Sequence, residues 1–144
     1  MNGLVRQRAR LARIRRIQHG LAATVAAQAA GRVQMLETSR ERLRQMRGEL
    51  RPAEGPTTGA AMARMGELAM RLDSARYNLG PTIDSARSAA AARETERRAA
   101  RRDQESAEKL ETAALRVAEE LAEQRLRQAG RGRGTIRLHQ GESE

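Results

Sequence analysis

The side chains in this chain that could do chemistry are two histidines, 18 carboxylates and a basic set that is arginine everywhere except Lys109. His19 and His139 have no Cys and no carboxylate at ligand spacing, so they read as a helix-surface residue and a tail residue, and no metal site is expected. There is no Cys, hence no thiolate nucleophile, no disulfide framework and no Cys-ligated zinc. Asp73 with Ser74, and Asp84 with Ser85, are ordinary neighbours on a helix surface. The glycines fall as breakers and do not form the G-x-x-x-x-G-K-[ST] pattern that cradles phosphate. No catalytic residue, cofactor or small-molecule substrate is expected, and the chain does not read as an enzyme.

The remaining chemistry belongs to the arginines. RARLARIRRIQHG (residues 8–20) alternates arginine with leucine and isoleucine, and no acid occurs before Glu37. Of the net charge of +10, residues 1–36 hold seven arginines and no carboxylate, whereas residues 52–129 are balanced. Arg125, Arg127, Arg131, Arg133 and Arg137 then follow, with no acid between Glu123 and Glu142. Both ends of the chain are therefore basic and suited to an acidic surface.

Long helices must position these groups. The chain is 39% hydrophobic and 32% charged, with three prolines, one Tyr and no Trp or Phe. Such Ala-, Arg-, Glu- and Leu-rich composition belongs to helices and coiled coils, and too little aromatic bulk is present for a thick globular core. No run of apolar residues approaches the length needed to span a bilayer. A basic start followed by LAATVAAQAA imitates a signal peptide, and an acid-free Arg-rich start imitates a transit peptide. Apolar spacing that continues through the apparent cleavage point argues against both.

Leu4, Leu11, Gln18 and Val25 recur every seven residues, with Ile14, Leu21 and Gln28 between them. An eleven-residue step leads to Leu36, Leu43 and Leu50, so the seam contains one four-residue stutter near Gly31. This predicts one helix over 4–51, about 70 Å long. PAEGPTTG (52–59) ends it. A short connector helix is expected over 60–79, with Met62, Met65 and Met70 capping that end. Gly80 suits a C-terminal cap and Pro81 the first position of a last helix, 82–129. Its seam runs through Leu79, Ala86, Arg93, Ala100, Ala107, Ala114 and Leu121, strengthened by Leu110 and Val117. GRGRG then opens a flexible basic tail, 130–144.

The expected architecture is all-α: an antiparallel two-helix coiled-coil hairpin over 1–129 with a short helical connector at its tip, facing residue numbers summing to about 132. That register sets Arg8, Arg10 and Arg13 against Glu119, Glu120 and Glu123, and such flanking charges fix orientation. It leaves Arg6, Arg8, Arg13, Arg15, Arg16, Arg125, Arg127 and Arg131 as a basic tip for a partner. Nucleic acid is not the expected partner: the arginines spread around the helix, no aromatic platform exists and no binding motif is visible. A nucleic-acid-associated coiled coil and a generic scaffold stand as the alternatives, with RGRG the one hint of RNA contact.

The stretch LARIRRIQHGLAATVAAQAAGRV resembles the start of FliJ-type proteins, the small stalk proteins of flagellar type III export. Their pattern is an apolar residue, Arg-(Ile/Val)-Arg-Arg-(Leu/Ile)-Gln and an Ala-rich helix, carried here by Arg13, Ile14, Arg15, Arg16, Ile17 and Gln18. Total length, two long helices and the charged arm AARETERRAARRDQESAEKLETAALRVAEELAEQRL are also similar; the Gly/Pro-rich connector departs from the pattern. The resemblance implies a non-enzymatic, central-stalk-like part of the export apparatus in bacterial flagellum biogenesis. Its basic tip would enter the hexameric ring of the export ATPase, with the export gate membrane protein and export chaperones as further partners. The implied location is cytoplasmic, peripheral at the cytoplasmic face of the inner membrane. Injectisome stalk proteins are the alternative within the same class.

Overall fold

The computed structural model describes residues 2–51 and 55–139, and the side chains of 3–51 and 55–133. Two helices account for nearly all of it: α1, Asn2–Glu49, of 48 residues, and α2, Gly59–His139, of 81 residues. No strand occurs among the described residues. α1 stops where the Gly/Pro-rich segment begins, and Arg47 in its last turn complements the helix dipole. Gly55 has φ 126°, a region open to glycine and costly for other residues. Thr58 caps α2: its Oγ1 accepts from the Ala61 amide at 3.2 Å, satisfying one of the orphan donors of the first turn.

One expected break is missing. The predicted connector helix 60–79 and last helix 82–129 are a single helix, and Pro81 lies inside it. Proline has no amide to give the Tyr77 carbonyl, and its ring crowds that carbonyl, which costs about 3 kcal/mol in a helix interior. The residues around it offset this, because Leu72, Ile83 and Ala86 are buried and Ile83 is fully so. Burial of an apolar face outweighs a local breaker here. Nor does helix end at Gly130, since α2 continues to His139. Residues 140–144 of the predicted tail, and Pro52 in the loop, lie outside the described residues.

The helices pack against each other in two compact units. Unit 1 comprises Met1–Gly20 and Ala99–Glu144, and unit 2 comprises Leu21–Arg98. In unit 2 the buried side chains are Ala26, Leu72, Ile83 and Ala86. Arg47 bonds Asp73 at 3.2 Å, and Arg87 Nε bonds Glu37 at 3.1 Å, tying α1 to α2. Met65 is half-buried beside Leu50, while Met62 and Met70 are exposed, so the three methionines do not act as one cap.

In unit 1 every buried residue among those described is alanine: Ala12, Ala107 and Ala114. Here α1 and α2 are joined by Arg15–Asp103 at 3.5 Å, Arg16–Glu108 at 2.8 Å and Arg16–Glu111 at 3.6 Å. The predicted register put Arg16 opposite residue 116, so the observed pairing is displaced by roughly one heptad. Arg8, Arg10 and Arg13 accordingly make no ion pair with Glu119, Glu120 or Glu123.

The inner face of α1 also differs from the predicted seam. Leu11, Leu36, Leu43 and Leu50 are half-buried, but Leu4, Ile14, Leu21 and Val25 are exposed. Covered positions in the first part of α1 are Val5, Ala12, His19 and Ala26, again seven apart. Continuing the spacing of Leu36, Leu43 and Leu50 backwards gives Ala29, Ala22, Arg15 and Arg8, all at least half-buried. One uninterrupted heptad repeat thus runs along α1, and the stutter at Gly31 does not occur. On α2, Ala107 and Ala114 are buried and Leu121 half-buried, whereas Leu110 and Val117 are exposed, their expected places taken by Glu111 and Ala118.

The cause is geometric. A helix without a stutter holds one rotation along its length, and the three leucines near its end set it. Small residues also let helix axes approach closely, which brings Arg16 within reach of Glu108 and Glu111.

Candidate partner interface

The arginines that the sequence offers as a binding tip fall into two groups. Arg15 and Arg16 belong to the packing of unit 1. Arg15 is half-buried, bonds Asp103 and donates to Gln18 Oε1 at 3.0 Å. Arg16 reaches both Glu108 and Glu111 from α1. Expected to point away from the helix pair, both instead face it, because the inner face is rotated relative to the Leu11–Ile14–Leu21 stripe. Arg127 pairs along its own helix with Glu123 at 3.2 Å.

The second group is uncompensated. Arg6, Arg10, Arg13 and Arg125 are exposed and Arg8 is half-buried, and none of the five makes an ion pair among the described residues. Arg131 is exposed and has an interaction of its own. The unit containing the first and last segments of the chain therefore presents free guanidinium groups from α1 and α2.

Electrostatics inside the unit follow from the ion pairs. The Glu108 carboxyl lies below its usual range, held there by a hydrogen bond from Gln104 and then by Arg16. Arg16 is raised by the same contact with Glu108. In unit 2 the Glu94 carboxyl is lowered to about 2, because Arg97 donates two hydrogen bonds to it and Arg98 adds a third.

His19 is not the surface residue the sequence suggests. It is half-buried on the inner face of α1, its Nε2 covered, in a shallow groove lined by Arg101, Gln104, Glu105 and Glu108. Among the described residues no three His, Asp or Glu side chains converge as metal ligands. Grooves elsewhere are open and lined by small or charged residues. The most apolar, of about 360 Å³, lies in unit 2 between Leu50, Met62, Met65 and Ala69. No described helix is long and apolar enough to cross a membrane.

Sequence reasoning missed the ion-pairing role of Arg15 and Arg16. The signal was present: Arg15 sits on the heptad that Leu36, Leu43 and Leu50 define, and Arg16 is the residue beside it. No protein-family model, curated protein or solved structure matches this chain.

Proposed function

We propose that this protein is a non-enzymatic, central-stalk-like coiled coil of the flagellar type III export apparatus. In this reading α1 and α2 run antiparallel, and the unit formed by both ends of the chain docks into the export ATPase ring. The opposite course of the helices is supported by the ion pairs. Arg47 meets Asp73, Arg87 meets Glu37 and Arg16 meets Glu108, so numbers rise on α2 as they fall on α1. The seven-residue recurrence of covered positions supports coiled-coil packing.

One observation carries the functional reading: unpaired Arg6, Arg8, Arg10, Arg13 and Arg125 in a narrow two-helix unit without a stacking aromatic. A two-helix cross-section fits the lumen of a ring, and clustered positive charge favours a lumen lined with carboxylates. The resemblance of residues 11–33 to FliJ-type proteins supplies the identity of that ring. The export gate and export chaperones are the further partners of the proposal, and its location is the cytoplasmic face of the inner membrane.

The test is retention of purified export ATPase by the immobilised chain. A variant with Arg6, Arg8, Arg13 and Arg125 all changed to Glu should lose the ATPase while keeping its helicity. Equal retention by wild type and variant contradicts the proposal. Tight, salt-sensitive binding of duplex DNA or RNA with no ATPase retained favours a nucleic-acid-associated coiled coil instead.

A further inference from the structure

Unit 1 hides its alanines and shows its larger aliphatic residues. Leu4 is 46% exposed, Ile14 42% and Ile17 57% on α1, and Leu110 and Val117 are 43% and 47% exposed on α2. Ile17, Leu115 (44%) and Leu126 (74%) are exposed elsewhere on the unit, but Leu4, Ile14, Leu110 and Val117 share one flank. With Val5, Ala12 and His19 covered at one heptad position, Leu4 and Leu11 occupy the flanking position before it, and Ile14 lies three residues further along the same side. Leu110 and Val117 hold the corresponding flanking position on α2, just before Glu111 and Ala118 on its inner face.

In an antiparallel pair, like flanking positions of the two helices lie on the same side of the packing line. The Arg16–Glu108 pair occupies one side, since both residues follow a covered position by four. Leu4, Leu11, Leu110 and Val117 occupy the other. One flank of unit 1 thus carries the Arg16 pairs together with Leu115, and the other carries an exposed apolar stripe contributed by both helices. The stripe has the spacing that receives a third helix.

Charge selects the occupant. Arg10 on α1 and Lys109 and Arg116 on α2 are exposed beside the stripe, and none makes an ion pair among the described residues. Asp103, on the same flank, is taken by Arg15. Glu120 stands one turn beyond Arg116 and limits the basic rim at that end. A second copy of the chain would bring an equally basic rim against this one, which disfavours self-association through this flank.

We propose that the Leu4–Leu11–Ile14–Leu110–Val117 flank of unit 1 is a docking groove for an amphipathic helix of another protein with acidic residues bordering its apolar stripe. The inference depends on the antiparallel course of the helices and not on the ATPase assignment. Of the unpaired arginines cited for the ATPase, only Arg10 borders this flank, and neither variant below changes it.

The experiment titrates the full chain into two fluorescein-labelled 28-residue peptides with leucine at alternating three- and four-residue spacing. One peptide has glutamate and the other lysine at the positions flanking the leucines. Fluorescence anisotropy should show binding of the glutamate peptide only, weakening with salt. Ile14→Ser with Leu110→Ser, both at exposed positions, should weaken that binding at least tenfold without changing helicity. Lys109→Glu with Arg116→Glu should transfer binding to the lysine peptide. Three results would overturn the proposal: equal binding of both peptides, binding that survives the serine variant, or sedimentation of the wild type as a dimer that the serine variant dissociates. The last would assign the groove to a second copy.

Discussion

Both units tie α1 to α2 with ion pairs, and they differ in what they bury. Unit 2 buries Leu72 and Ile83 between its helices and keeps its proline within a continuous helix. Unit 1 buries only alanines among the described residues and joins α1 to α2 through Arg15, Arg16 and their carboxylates. A buried Leu or Ile contributes about 1.5–3 kcal/mol from apolar area, and an alanine much less. Unit 2 is therefore the anchor of the fold. Unit 1 has no fully buried large aliphatic residue among those described, and Leu4, Ile14, Leu110 and Val117 are exposed in it.

The contrast can be broken most sharply at Ile83. Ile83→Ala should cost about 2–5 kcal/mol in urea unfolding, the range for emptying a fully buried aliphatic site. A cost below 1 kcal/mol would remove unit 2 as the anchor. Pro81→Ala returns an amide to the Tyr77 carbonyl, and thermal melting should show a gain of up to about 3 kcal/mol. No gain would mean that α2 is adapted to the proline.

In unit 1, Ala12 is fully buried. Ala12→Leu should destabilise by about 1–3 kcal/mol through overpacking and should open the Arg16–Glu108 pair. An increase in stability would show instead that the alanine core is underfilled.

The smallest effect separates the two kinds of acidic partner. Glu94 and Glu108 both have folded-state values below the ordinary carboxylate of about 4.3. Their contribution is complete above that value and disappears as pH falls through the folded values, about 2 for Glu94. Protonating Glu94 loosens bonds within α2 alone, whereas protonating Glu108 weakens one of the ion pairs between α1 and α2. Arg16→Gln should lower stability at neutral pH, flatten the acid limb measured by circular dichroism, and converge with wild type once Glu108 is protonated. Parallel acid limbs would show that the pair contributes nothing.

Much of the fold was legible in the sequence, through its helical composition, the PAEGPTTG break and the seven-residue spacings. Two rules misled where packing overrides them. Gly80–Pro81 reads as a helix boundary, but burial of Ile83 two residues later keeps the helix intact. Leucines outrank alanines as seam candidates, so Leu4, Leu11, Leu21 and Val25 were preferred and a stutter was needed to reach Leu36. The repeat set by Leu36, Leu43 and Leu50 runs back through Ala29, Ala22, Arg15 and Arg8 without one. Net charge identified the basic ends correctly, but not which arginines were already paired. That required the rotation of α1, which Leu36, Leu43 and Leu50 encode only when read together.

The most direct measurement of the central claim is a distance across unit 1. The chain contains no native cysteine, so Arg13→Cys with Lys109→Cys, both exposed, can be spin-labelled without interference. Helices packed about 8–10 Å apart and running antiparallel place these labels within roughly 10–25 Å of each other. Pulsed dipolar spectroscopy of the dilute monomer should return one narrow distribution in that range. A distribution centred beyond about 50 Å would mean that the ends of the chain do not share a unit, and the basic docking unit would not exist.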